Sequence, residues 1–137
     1  MYNFLHITLI FFGAGIGGVF RYIISNKVTG FISKSLIVSN TYITFPFPTL
    51  FVNFVGSFVI GILYNIIIIK TPHLDVELKL LFITGFLGGF TTFSSFSLES
   101  VNLINQGHYI QCITYILLSI TLCISGCMFG VLISKLF

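Results

Sequence analysis

Apolar residues run along this chain in long blocks, occupying both odd and even positions, and the blocks end where charged residues stand. The charges fall at Arg21, Lys27, Lys34, Lys70, Asp75, Glu77, Lys79, Glu99 and Lys135, leaving Tyr2–Phe20, Ser35–Ile69, Leu80–Leu98 and Ser100–Ser134 free of charge. Each stretch holds the ~20 apolar residues that cross ~30 Å of hydrocarbon. Trimming the polar ends predicts four transmembrane helices at about residues 4–24, 47–69, 78–102 and 109–134. Barrel strands would alternate apolar and polar positions, which these blocks do not.

Composition agrees with this reading. Of 137 residues, 56% are hydrophobic and 7% charged, too few charges to give a small soluble fold a polar skin. Disorder needs the opposite balance. A formal charge of +3 spread along the chain makes no basic stripe for nucleic acid. The chain therefore reads as a single four-helix transmembrane domain over residues 1–137. A cleaved signal peptide is rejected, since no basic segment precedes the first apolar block. The expected linkers are Asn26–Pro46, Lys70–Lys79 with Pro72, and a turn at Asn105-Gln106-Gly107.

Lys/Arg asymmetry, which normally sets orientation, is absent. Four spans place Lys70, Lys79 and Lys135 on one side and Arg21, Lys27 and Lys34 on the other, three against three. Either another factor sets orientation, or the chain inserts both ways up, which would permit an antiparallel homodimer.

Small residues predict close helix packing rather than a wide pore. Gly13/Gly17, Ser57/Gly61 and Gly126/Gly130 each repeat at four-residue spacing in spans one, two and four. The third span is the least regular. Gly88-Gly89 each weaken a helix by about 1 kcal/mol relative to alanine, and Thr91-Thr92 offer competing local hydrogen bonds. Two forms are open: a break here with a half-helix starting near Thr92, or a continuous helix whose glycines permit a close crossing. A break would expose carbonyls suited to sodium and N–H groups suited to an anion.

Phe93 and Phe96 are three residues apart and share a helix face. Their ring edges carry positive character and can meet an anion, although packing is the ordinary role of phenylalanine. Ser94, Ser95 and Ser97 add hydroxyls, Asn53 adds an amide, and Tyr115, Ser119 and Cys123 follow at four-residue spacing on the fourth span. Arg21 stands near the end of the first span, where it can snorkel or pair with carbonyls.

Three stretches together resemble the bacterial CrcB/Fluc family of fluoride channels across nearly the whole chain. They are Gly13, Gly15, Gly17 and Gly18 leading to Arg21-Tyr22; Thr49-Leu50 leading through Val52-Asn53 to Gly56 and Gly61; and Gly85 through Thr91-Thr92-Phe93-Ser94-Ser95-Phe96 to Glu99. The resemblance implies a four-helix fold, broken in the third span and assembled as an antiparallel homodimer, with passive fluoride export across the bacterial inner membrane. It implies a fluoride pathway of Asn53, Phe93, Ser94, Ser95, Phe96, Tyr115 and Ser119. It further implies a structural sodium ion (Na+) at the dimer interface on the carbonyls of Gly88 and Thr91, and a structural or pore-mouth role for Arg21.

Two positions depart from the family pattern: Pro48 stands where glycine usually precedes Thr49, and Cys123 where serine is common. Pro48 predicts an altered helix start. The alternative functions are a proton-coupled small multidrug exporter and a non-transporting scaffold protein. An exporter needs a membrane-embedded carboxyl group, and Glu99 is the candidate. No catalytic grouping connects His6, His73 and His108, and Cys112, Cys123 and Cys127 read as small core residues, so no enzyme is expected.

Overall fold

The computed structural model describes residues 3–36, 45–70 and 76–136, and every regular element among them is helical. α1 spans Phe4–Leu36. α2 spans Phe47–Leu63 and continues over Tyr64–Lys70 in wider turns bonded i→i+5. α3 covers residues 76–90, with the same wide winding over Lys79–Leu87. α4 spans Phe93–Asn105 and α5 spans Tyr109–Ser134. Among the described residues, four stretches are long and apolar enough to cross a membrane: Phe4–Ser33, Phe47–Ile67, Val76–Asn105 and Tyr109–Ser134. The third contains both α3 and α4.

α1 runs to Leu36 instead of stopping near Ile24, so the start of the expected Asn26–Pro46 linker is helical. Polar residues end an apolar span but do not end a helix. Ser25–Leu36 has no proline, and the Thr29 hydroxyl back-bonds to the Ser25 carbonyl at 2.9 Å. The rest of that linker up to residue 44, together with Pro72 and His73, lies outside the described residues. Pro48 sits in the first turn of α2, where its missing N–H has no ladder partner to lose. Between α4 and α5 the chain reverses through Gly107 at φ 78°, a left-handed conformation glycine adopts without a Cβ clash. There the N–H groups of Gly107 and His108 donate to the carbonyls of Ile104 and Leu103.

Two glycine seams hold the bundle. α1 lies on α3 so closely that a Cβ added at Gly85 would sit 3.0 Å from the Gly13 Cα, and one added at Gly89 would sit 2.8 Å from the Ala14 Cα. α2 lies on α5 in the same way. A Cβ at Gly61 would fall 3.0 Å from the Cys127 carbonyl carbon, and one at Gly130 would fall 3.2 Å from that of Phe58. Lipid tails are as apolar as leucine, so such backbone approach, rather than the hydrophobic effect, is what joins the helices.

The seams leave two buried clusters. Val52, Leu87 and Phe90 form one, and Leu50, Leu103, Cys112 and Tyr115 form the other, with Phe96 packed against the second. The junction between α3 and α4 directly follows Phe90 of the first cluster.

Candidate functional site

Gly88, the first of the paired glycines, is helical, with φ −62° and ψ −36°. The extended residues are the threonines that follow: Thr91 at φ −84°, ψ 157° and Thr92 at φ −150°, ψ 113°. Extended torsions take backbone groups out of the i→i−4 ladder, and in the membrane those groups need new partners. Asn53 on α2 supplies them. Its Nδ2 donates to the Thr92 carbonyl at 3.1 Å, and its Oδ1 accepts from the Thr92 N–H at 2.8 Å. One amide thus satisfies both backbone groups of one residue. The Thr92 N–H is thereby turned away from the Gly88 carbonyl, its partner in an unbroken helix.

Thr92 also caps α4. Its Oγ1 accepts from the Ser95 N–H at 3.2 Å and donates to the Ser95 Oγ at 3.1 Å. The Ser94 hydroxyl lies 3.1 Å from the same oxygen. A threonine N-cap explains why the helix restarts where it does. The Thr91 hydroxyl and N–H both return to the Leu87 carbonyl and close the end of α3.

Beside this junction is a cleft of about 450 Å³. Asn53, Gly88, Thr91, Thr92, Phe93 and Phe96 line it from α2 and the junction, and Ser119 and Cys123 line it from α5. The rings of Phe93 and Phe96 lie 5.3 Å apart, tilted by 42°. Phe96 packs on Tyr115 at 5.2 Å, whereas Phe93 is 78% exposed on this single chain. Ser119 is buried, and its Oγ has no hydrogen-bond partner among the described residues.

Of the seven expected pathway residues, the cleft collects Asn53, Phe93, Phe96 and Ser119. Ser94 and Ser95 direct their hydroxyls to the Thr92 cap. Tyr115, fully buried, lies one turn before Ser119 and donates to Glu99. Gly88 and Thr91 sit at the cleft margin, and Gly88 is exposed. Arg21 is half-buried on α1 and makes no hydrogen bond or ion pair among the described residues.

One polar group was missed as a unit. The Glu99 carboxyl accepts from the Thr49 hydroxyl through Oε1 and from the Tyr115 hydroxyl through Oε2, each at 2.7 Å. This ties α2, α4 and α5 together, and none of the three residues lines the cleft. The signal was present in the sequence, because Thr49 and Glu99 begin and end two of the motifs. Their distance of fifty positions hid the pairing.

The arrangement offers hydroxyls, an amide and two phenylalanine rings within apolar spans, without a lysine or arginine lining the cleft. Neutral dipoles of this kind can replace water around an ion without the fixed charge that would hold it. Among the described residues, no group of three or more His, Cys, Asp or Glu side chains is placed to hold a metal.

Residues 8–131 match the family described as CrcB-like protein, Camphor Resistance (CrcB). The chain is 44% identical over 132 residues to the fluoride-specific ion channel FluC of Coxiella burnetii (strain Dugway 5J108-111), covering 96% of this chain and 98% of that one. It is 44% identical over 121 residues to the FluC protein of Azobacteroides pseudotrichonymphae, covering 88% and 86%. To the FluC protein of Erythrobacter litoralis it is 35% identical over 137 residues, covering 100% and 95%.

Proposed function

This chain belongs to the CrcB family, and from that membership we propose that it is a fluoride-selective channel through which the ion leaves the cell passively. It is a multi-pass membrane protein, and no enzymatic step is involved. The observation that carries the proposal is the cleft beside Thr91 and Thr92. There an amide, a partnerless hydroxyl and two phenylalanine rings converge at membrane depth.

Fluoride is small and holds its water tightly, so a selective route must replace that water with donors at close quarters. The Asn53 amide has one N–H committed to Thr92 and a second to offer. Ser119 offers its hydroxyl, and the tilted rings of Phe93 and Phe96 offer edges. Thr92 fixes the start of α4, which holds both rings in register. Beyond Phe96, the Thr49 and Tyr115 hydroxyls both give their protons to the Glu99 carboxyl, which fixes the Tyr115 ring that packs on Phe96. Ser94 and Ser95 complete the pathway set at the helix start. Flow down the electrochemical gradient removes fluoride that entered as the neutral acid, and the setting we infer for it is the bacterial inner membrane.

The assembly we infer is an antiparallel homodimer with the third span working as two half-helices. The three-against-three Lys/Arg count supports insertion in both orientations. The exposure of Phe93 and Gly88 supports a second copy covering the junction. A structural sodium ion fits this arrangement through the main-chain carbonyls of Gly88 and Thr91. Gly88 has lost its ladder donor to Asn53, and Thr91 is extended. When bound, sodium would supply a hard positive centre that satisfies those oxygens. Arg21 then serves as a structural or pore-mouth residue of α1.

The test is fluoride efflux from loaded liposomes, measured against chloride, for the wild type and Phe93→Ile. Selective fluoride loss from wild-type vesicles, reduced in the variant, is the expected result. Equal passage of the two halides overturns the proposal.

A further inference from the structure

We propose that Cys123 is a covalent modification site in the cleft, open to small uncharged sulfur electrophiles, and that modifying it closes the ion route. The three thiols of α5 stand in different places. Cys112 is buried and its Sγ contacts the Ser100 carbonyl at 3.5 Å. Cys127 is half-buried, but it is not part of the cleft wall, and its backbone lies in the glycine seam against Gly61. Cys123 is half-buried and lines the cleft.

A second observation directs chemistry to the same place. Ser119, four residues earlier on the same helix face, lines the cleft with a buried hydroxyl that has no partner. The thiolate is the reacting form of cysteine. The Ser119 hydroxyl makes no hydrogen bond to the Cys123 sulfur, so the position of the thiol on the cleft wall, not activation by the serine, is what opens it to a reagent. The proposal rests on the cleft being the ion route, since otherwise modification would leave transport untouched.

The reagent class is set by location. A charged reagent would have to enter hydrocarbon or the route itself, whereas an alkyl thiosulfonate is small, neutral and soluble in both phases. With methyl methanethiosulfonate, the Cys123 sulfur attacks the sulfenyl sulfur and forms an S–S bond. The sulfur–sulfur bond of the reagent breaks, methanesulfinate leaves with the electron pair, and the thiol proton passes to water. The product carries a methylthio group beside Ser119, filling the space between α5 and the Phe93–Phe96 pair and covering the hydroxyl donor.

The experiment treats full-length protein in liposomes with methyl methanethiosulfonate at mildly alkaline pH. Peptide mass spectrometry locates the adduct, and fluoride efflux is measured before and after treatment. A Cys112→Ser/Cys127→Ser variant, in which Cys123 is the sole thiol, is expected to gain one methylthio group and lose at least tenfold of its own untreated flux. Dithiothreitol should restore the flux. Cys123→Ser is expected to keep its own untreated flux under the same treatment. Failure of untreated protein to pass fluoride would count against the channel reading itself, independently of the adduct. An unmodified Cys123, or a modified Cys123 with unchanged flux, overturns the proposal.

Discussion

The two walls of the cleft solve the same problem in opposite ways. On the α2 side, Asn53 and Thr92 exchange two hydrogen bonds, so the amide and the extended backbone are mutually satisfied. On the α5 side, Ser119 keeps a buried hydroxyl with no partner among the described residues. A satisfied pair gives a fixed shape and an unsatisfied donor gives a binding preference, because a buried polar group without a partner is costly until something fills the gap. The cleft thus has one wall built for geometry and another left open for chemistry.

Breaking the geometric wall has the largest expected effect. Asn53→Ala strands both backbone groups of Thr92, each costing roughly 1–3 kcal/mol when buried and unpaired. Thermal unfolding of detergent-solubilised protein should therefore shift down clearly, and liposome efflux should vanish. An unchanged melting temperature would show that the two bonds do not hold the extended segment.

Tyr115→Phe comes next. It removes the 2.7 Å bond to Glu99 while keeping the ring that packs on Phe96. Loss of one hydrogen bond of this kind corresponds to about 1–3 kcal/mol, read as a smaller drop in melting temperature. A double change Tyr115→Phe with Glu99→Gln that lowers the melting temperature by less than the sum of the two single changes would locate the effect in the pair.

Ser119→Ala separates the walls most sharply. The hydroxyl has no partner to lose, so stability should hold or rise slightly, while fluoride efflux falls several-fold. A marked loss of stability would mean that the hydroxyl is bonded after all. Phe93→Ile completes the series. At 78% exposure the ring contributes little to the fold of one chain, so its effect should appear in efflux, not in melting.

Membrane class and span number were legible because charge cannot be scattered through hydrocarbon: nine charged residues divide the chain regardless of how it packs. The glycine spacings were legible for the same kind of reason, since close approach needs small residues wherever the partner lies. The end of α1 was misread because polarity marks the bilayer edge and leaves the helix itself unmarked.

At the junction, the sequence holds two weak helix sites, Gly88-Gly89 and Thr91-Thr92. Tertiary structure put the extended torsions at Thr91 and Thr92 and kept Gly88 helical, because Asn53, thirty-nine positions away, can serve only one residue's N–H and C=O. The Thr49–Glu99–Tyr115 group was likewise set by which helix faces met. Local patterns settle what hydrocarbon will accept. Long-range hydrogen bonds form only once the helices are side by side, and they decide which donors are occupied and which remain available to an ion.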